Sequence, residues 1–170
     1  AKDNDGNVAL FAGDSGKLYK FTPSSNNLTD VSKAGSPAYD LTGNERWRFV
    51  QFGQYVLVAG GIGEEIQKWD LSTDTAVSNL GGSPPNAEFI AVVRDFIWTA
   101  NIEDSGGRVP FRTICSAFNA IYSGTVGTDQ ADFQDLPDSG AITGLVGGEY
   151  ATILCERAIF RATYTGPPLI

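Results

Sequence analysis

The sequence predicts an all-β fold of propeller-like blades, about three and a half to four antiparallel repeats forming one domain over residues 1–170. Three observations predict it. A turn followed by a short apolar strand recurs four times, opening at Val8, Tyr55, Phe96 and Tyr150 as VALFAG, YVLVAG, FIWTAN and YATILC. The intervals of 47, 41 and 54 residues bracket one four-stranded blade rather than a short helical repeat. The composition, 42% hydrophobic and 19% charged with 20 glycines, suits many short strands joined by turns. Clusters of Gly, Pro, Asn, Asp and Ser at 23–27, 35–44, 81–86, 104–110 and 135–140 interrupt the chain too often for long helices.

The repeats are expected at about 1–40, 45–86, 87–138 and 140–170. Their opening strands follow the turn pairs Gly6-Asn7, Gly53-Gln54, Arg94-Asp95 and Gly148-Glu149. In the first repeat VALFAG leads to KLYKFT and, past the polar SSNN turn, to LTDVS; no first strand is expected, because only AKDNDG precedes. The second is the most complete: WRFVQF, YVLVAG, EIQKWDL and TAVSNL. EEIQKWDL has a helical look, but its alignment with KLYKFT favours a strand. YVLVAG is apolar on both faces and must be covered on both, as in stacked blades.

The third repeat runs EFIAVV, FIWTAN and VPFRTICSAF, after which Asn119 to Asp138 is the least regular stretch. The fourth runs AITGLV, YATILC and AIFRATY, then stops at GPPLI with no fourth strand. Blades left open at both ends expose unpaired strand edges, which predicts completion by a parent chain, a second copy, or shared terminal strands. The absence of methionine, even at position 1, points to a processed product or a piece of something longer.

Charge and missing residue types exclude several functions. A formal charge of −8 disfavours charge-driven nucleic-acid binding. No apolar run reaches 18 residues and no leader pattern opens the chain, so the reading is soluble with no membrane partner. With no histidine, Ser-His-Asp and Cys-His chemistry and histidine zinc sites are excluded. Cys115 and Cys155 are either buried thiols or a disulfide pair, and they cannot form a four-cysteine zinc site.

Five motifs bear on chemistry. Asp3-Asn4-Asp5-Gly6-Asn7 resembles the opening of a calcium loop, but its Gly comes two places early and Asp14 stands where a bidentate Glu is needed; a hairpin turn is the favoured reading. Asp129, Asp132, Asp135 and Asp138 recur at spacing three and would serve glycoside hydrolysis only if they converged across a cleft. Gly13-Asp14-Ser15-Gly16 and Pro137-Asp138-Ser139-Gly140 resemble part of the Asp-box turn of sialidase propellers, and Trp69-Asp70 the dipeptide of WD-repeat blades; all are read as turn chemistry. Trp47, Trp69 and Trp98 could form a glycan platform, but their strand positions favour packing between blades. No catalytic, cofactor-binding or metal-binding residue is assigned.

The strings KLYKF, WRFVQFG, GGSPPNAEFIAVVRDF and TDQADFQDLPDSGAITGLVGGEYATILCERAIFRATYTGPPLI resemble a family of tailed-phage and prophage virion proteins, of tail or packaged-DNA-stabilisation type. The resemblance runs from about Val8 to Ile170 and is most specific over Gln130 to Ile170. It implies a propeller-like component of the neck or tail, longer than this chain, that performs no reaction. The implied partners are further copies of itself and other tail proteins, and the implied location is the virion, or the host cytoplasm during assembly. The chain departs from the family between Arg112 and Gly124, where Cys115 holds a tryptophan position and Ala120-Ile121 an Asp-Pro position. A carbohydrate-binding propeller for host attachment and a carboxylate-dependent glycoside hydrolase are the rival expectations.

Overall fold

A computed structural model describes residues 1–35, 38–121 and 125–166. Among the described residues fourteen strands form four antiparallel sheets in chain order, with one short 3-10 turn at Pro137–Ser139. The first sheet contains β1 (Phe11–Gly13), β2 (Leu18–Thr22) and β3 (Asn27–Asp30). The second contains β4 (Arg48–Phe52), β5 (Tyr55–Ala59), β6 (Gln67–Asp70) and β7 (Ser78–Asn79). The third contains β8 (Asn86–Val93), β9 (Phe96–Asp104), β10 (Gly107–Cys115) and β11 (Asp132–Asp135). The fourth contains β12 (Ile142–Val146), β13 (Ala151–Cys155) and β14 (Ile159–Ala162). Each sheet is a simple meander, with every strand beside its sequence neighbour.

Strand alternation builds the cores. Along β5 nearly every side chain is buried, because Val56 and Val58 face the first sheet while Leu57 and Ala59 face the third. Three apolar cores result. Leu18, Val31, Val56, Val58 and Trp69 join sheets one and two; Leu57, Ile66, Ala87, Ile90 and Ile97 join two and three; Phe89, Val93, Ala100, Ile142 and Ile153 join three and four. The leading strands β4, β8 and β12 contact one another in that order. Among the described residues no core joins the fourth sheet to the first.

Trp47 explains why two of the repeated strands end in Gly. Its indole N–H donates to the Asp14 carbonyl at 2.6 Å. A Cβ at Gly13 would stand 2.3 Å from the ring, and one at Gly60 2.5 Å, so the ring fits only where both side chains are absent. The last residues of VALFAG and YVLVAG thus flank one tryptophan between sheets one and two.

The repeat-opening turns lie next to one another. Asn4 N–H donates to the Gln54 side chain at 3.2 Å, linking the first turn to the second. Asn119 N–H donates to the Asp95 carbonyl at 2.8 Å, and residues 119–121 border a cavity with Phe52–Tyr55, linking second and third. Arg94 N–H donates to the Gly148 carbonyl at 2.9 Å, linking third and fourth.

Several expectations need correction. Tyr55 and Phe96 open their strands, but β13 begins one residue after Tyr150 and β1 three residues after Val8. Ahead of the first sheet the chain is not empty, since Lys2 bridges antiparallel to Val8 and Ala1 and Ala9 exchange two 2.9 Å hydrogen bonds. Residues 104–110 interrupt any helix, as expected, but they form no loop: β9 and β10 pair through them across the Ser105-Gly106 turn. The irregular stretch from Asn119 to Asp138 contains β11, which pairs with β10 from Arg112 to Cys115. EEIQKWDL supplies strand β6, as its alignment predicts. Residues 122–124 of the divergent turn and the PPLI segment at 167–170 lie outside the described residues.

Candidate functional site

Of the four aspartates considered for hydrolase chemistry, two lie on one strand that points them to opposite sides. Asp132 and Asp135 stand three residues apart on β11, so their side chains leave opposite faces. Asp132 pairs across from Cys115, while Asp135 pairs across from Arg112. Arg112 grips Asp135 in a two-pronged ion pair, with Nε to Oδ1 at 2.6 Å and Nη2 to Oδ2 at 2.8 Å. The Arg112 guanidinium holds the Asp135 carboxyl below the usual carboxylate range. Asp138 lies in the 3-10 turn, and Asp129 sits at φ 47° in the preceding loop. A carboxylate locked by arginine serves packing better than proton transfer.

The calcium-like Asp3–Asn7 segment closes on itself as a hairpin turn. Asp3 Oδ1 accepts the N–H of Asp5 at 3.0 Å and of Asn7 at 2.7 Å, which uses the oxygen a cation would need. Asp14 plays the same part in the next hairpin, accepting the N–H of Gly16 and of Lys17 at 2.8 Å each. Both Asp-Gly motifs are therefore turn-forming. Among the described residues no three His, Cys, Asp or Glu side chains gather as a metal-binding group.

The tryptophans do not form a rim platform. Trp69 is fully buried, with Phe11 edge-on at 5.5 Å and Lys20 Nζ 5.0 Å from its ring. Trp98 belongs to the core between sheets three and four, and Trp47 is wedged between Gly13 and Gly60. All three serve packing between sheets.

An apolar recess of about 230 Å³ lies where β9, β10 and β11 meet the end of β14. Phe96, Trp98, Cys115, Phe133 and Tyr164 form much of its wall. Tyr164 crosses from the fourth sheet, its hydroxyl donating to the Gln130 side chain at 2.6 Å and its ring 5.4 Å from that of Phe96. The Cys115 thiol donates to the Asp132 carbonyl at 3.4 Å, and burial pushes its pKa up. Held protonated by burial and by the neighbouring Asp132 carboxylate, this thiol packs against the recess wall. Cys155 is also a free thiol, raised by burial, so the two cysteines are unpaired.

A buried polar junction between the third and fourth sheets went unread in the sequence. Asn101, in the middle of β9, has φ 52° and donates through Nδ2 to Glu88 at 2.9 Å and to the Ile142 carbonyl at 3.0 Å. Its Oδ1 accepts from Arg108 at 3.1 and 3.3 Å. Here both strands exchange faces: the pair Phe89–Ala100 packs toward the fourth sheet, whereas the pair Ala87–Ile102 packs toward the second. Asn tolerates the left-handed backbone this twist requires. The signal available in sequence was one Asn inside the apolar run FIWTANIED.

No protein-family model matches this chain, and no curated protein matches it.

Proposed function

We propose that this chain is a non-enzymatic structural module of a tailed-phage or prophage virion, a propeller-type component of the neck or tail that works by assembly. One observation carries the reading: four consecutive meander sheets stack through three apolar cores, and among the described residues the outer faces of the first and fourth sheets carry exposed apolar side chains such as Leu10 and Ile159. The order of contacts among β4, β8 and β12 supports blades arranged about an axis, with these strands innermost. The strings resembling virion proteins fall on structurally demanding places, with WRFVQFG supplying Trp47 and β4, and GLVGGEY the loop bonded to the Arg94 turn.

Of the groups that motivated the rival readings, Asp135 is held by Arg112 and the three tryptophans are engaged in packing, which favours assembly over hydrolysis or glycan capture. The net charge of −8 suits a part beside a DNA conduit, since like charge prevents sticking. The test is immunogold electron microscopy on purified particles of the phage or prophage that encodes the chain. Gold at the neck or tail is expected, and particles free of label overturn the assignment.

A further inference from the structure

The two ends of the stack are chemically matched. In the first sheet, Phe11 and Lys20 pair and both approach Trp69, so this side faces the second sheet. The alternate residues face away: Ala12 pairs with Tyr19, Phe21 with Leu28, and Leu10 accepts the Phe21 N–H. Leu10 is 61% exposed and Val8, two residues earlier, 76%. In the fourth sheet, Ile153 pairs with Leu145 and Phe160, and these face the third sheet. The other side carries Val146, Thr152, Leu154, Ile159 and Arg161. Ile159 is 71% exposed and Val146 55%.

Both outer faces therefore carry the apolar alternation that, inside the chain, packs one sheet on the next. Contiguous apolar surface of this kind marks an interaction site. Their charges also complement at one point. Arg161 lies over the Tyr150 ring and, among the described residues, makes no ion pair. On the first face Asp30 is already paired with Lys17 at 2.7 Å, whereas Asp14, which accepts the Tyr19 hydroxyl, is the carboxylate left to meet it.

We infer that the outer face of the first sheet in one copy packs on the outer face of the fourth sheet in a second copy, a head-to-tail contact that continues the stack between chains. This rests on the stacked-sheet reading proposed above and adds the partner and the surfaces. The contact is heterologous, so it closes a ring if the rotation between copies permits and otherwise extends.

Sedimentation velocity at roughly 100 µM, where even a micromolar contact is saturated, tests it with Leu10→Asp and Ile159→Asp. Both positions are solvent-facing, so the fold should persist, and circular dichroism checks this; Val8→Asp and Val146→Asp form a second pair. The wild type is expected to be oligomeric and each variant alone monomeric. An equimolar mixture should recover a dimer, because the Leu10→Asp chain keeps its fourth-sheet face and the Ile159→Asp chain its first. A monomeric wild type, an oligomer that survives both substitutions, or a mixture without recovery overturns the inference. Survival in both variants would leave assembly through strand edges standing, and the particle labelling decides the virion reading separately.

Discussion

Asn101 Nδ2 donates to the Ile142 carbonyl at 3.0 Å, so a single side chain in the third sheet is bonded to the leading strand of the fourth. The same amide group holds Glu88 and Arg108, and Asn101 is buried at a positive φ. Asn101→Ala removes these bonds and adds left-handed strain, and should cost about 2–4 kcal/mol. Asn101→Gly keeps the backbone conformation, so it should be milder by about 1 kcal/mol. Urea denaturation of the two variants measures the difference; equal losses would remove the backbone part of the explanation.

Gly60→Ala should destabilise by about 1–3 kcal/mol, since a methyl group there meets the Trp47 ring at 2.5 Å. In a Trp47→Phe background the smaller ring leaves room. The double-mutant cycle should therefore be non-additive by more than about 0.5 kcal/mol. Strict additivity would show that the glycine is needed for another reason.

Stability should change little between about pH 5 and 7, because the sequence has no histidine to titrate there. Below that range it should fall. Lys17 and Ser32 bring Asp30 down to about 2, and Arg112 depresses Asp135. A depressed carboxyl contributes stability that is complete above its unfolded value, about 4, and is lost as pH falls through its folded value. Asp135→Asn should shallow the acid limb. Chemical denaturation across pH 2–7 checks this, and an unchanged limb would show that the Arg112 pair contributes nothing.

Both cysteines should react slowly with a thiol reagent in the native state, and Cys115 more slowly than the less buried Cys155. Denaturation should equalise them. Rapid native labelling of Cys115 would contradict its packing beneath Asp132.

Much of the sheet order was legible because each repeat announces itself twice, by a turn pair and by an apolar strand. Gly53-Gln54 and Arg94-Asp95 each occupy a two-residue hairpin between the expected strands. The extent of β9 and β10 was not legible, since Asp104, Ser105 and Gly106 look like loop while their neighbours pair across them. Strand β11 was hidden because it is polar and lies outside the cores. The junctions were least visible of all. Trp47 between Gly13 and Gly60, and Asn101 reaching Ile142, are contacts over long sequence separations that no local pattern encodes.

The claim that this chain works by assembly is tested most directly by its solution mass, measured by light scattering on the purified wild type over a range of concentrations. A mass that is a multiple of 18.1 kDa is the predicted result. A stable 18.1 kDa monomer at every concentration would contradict it.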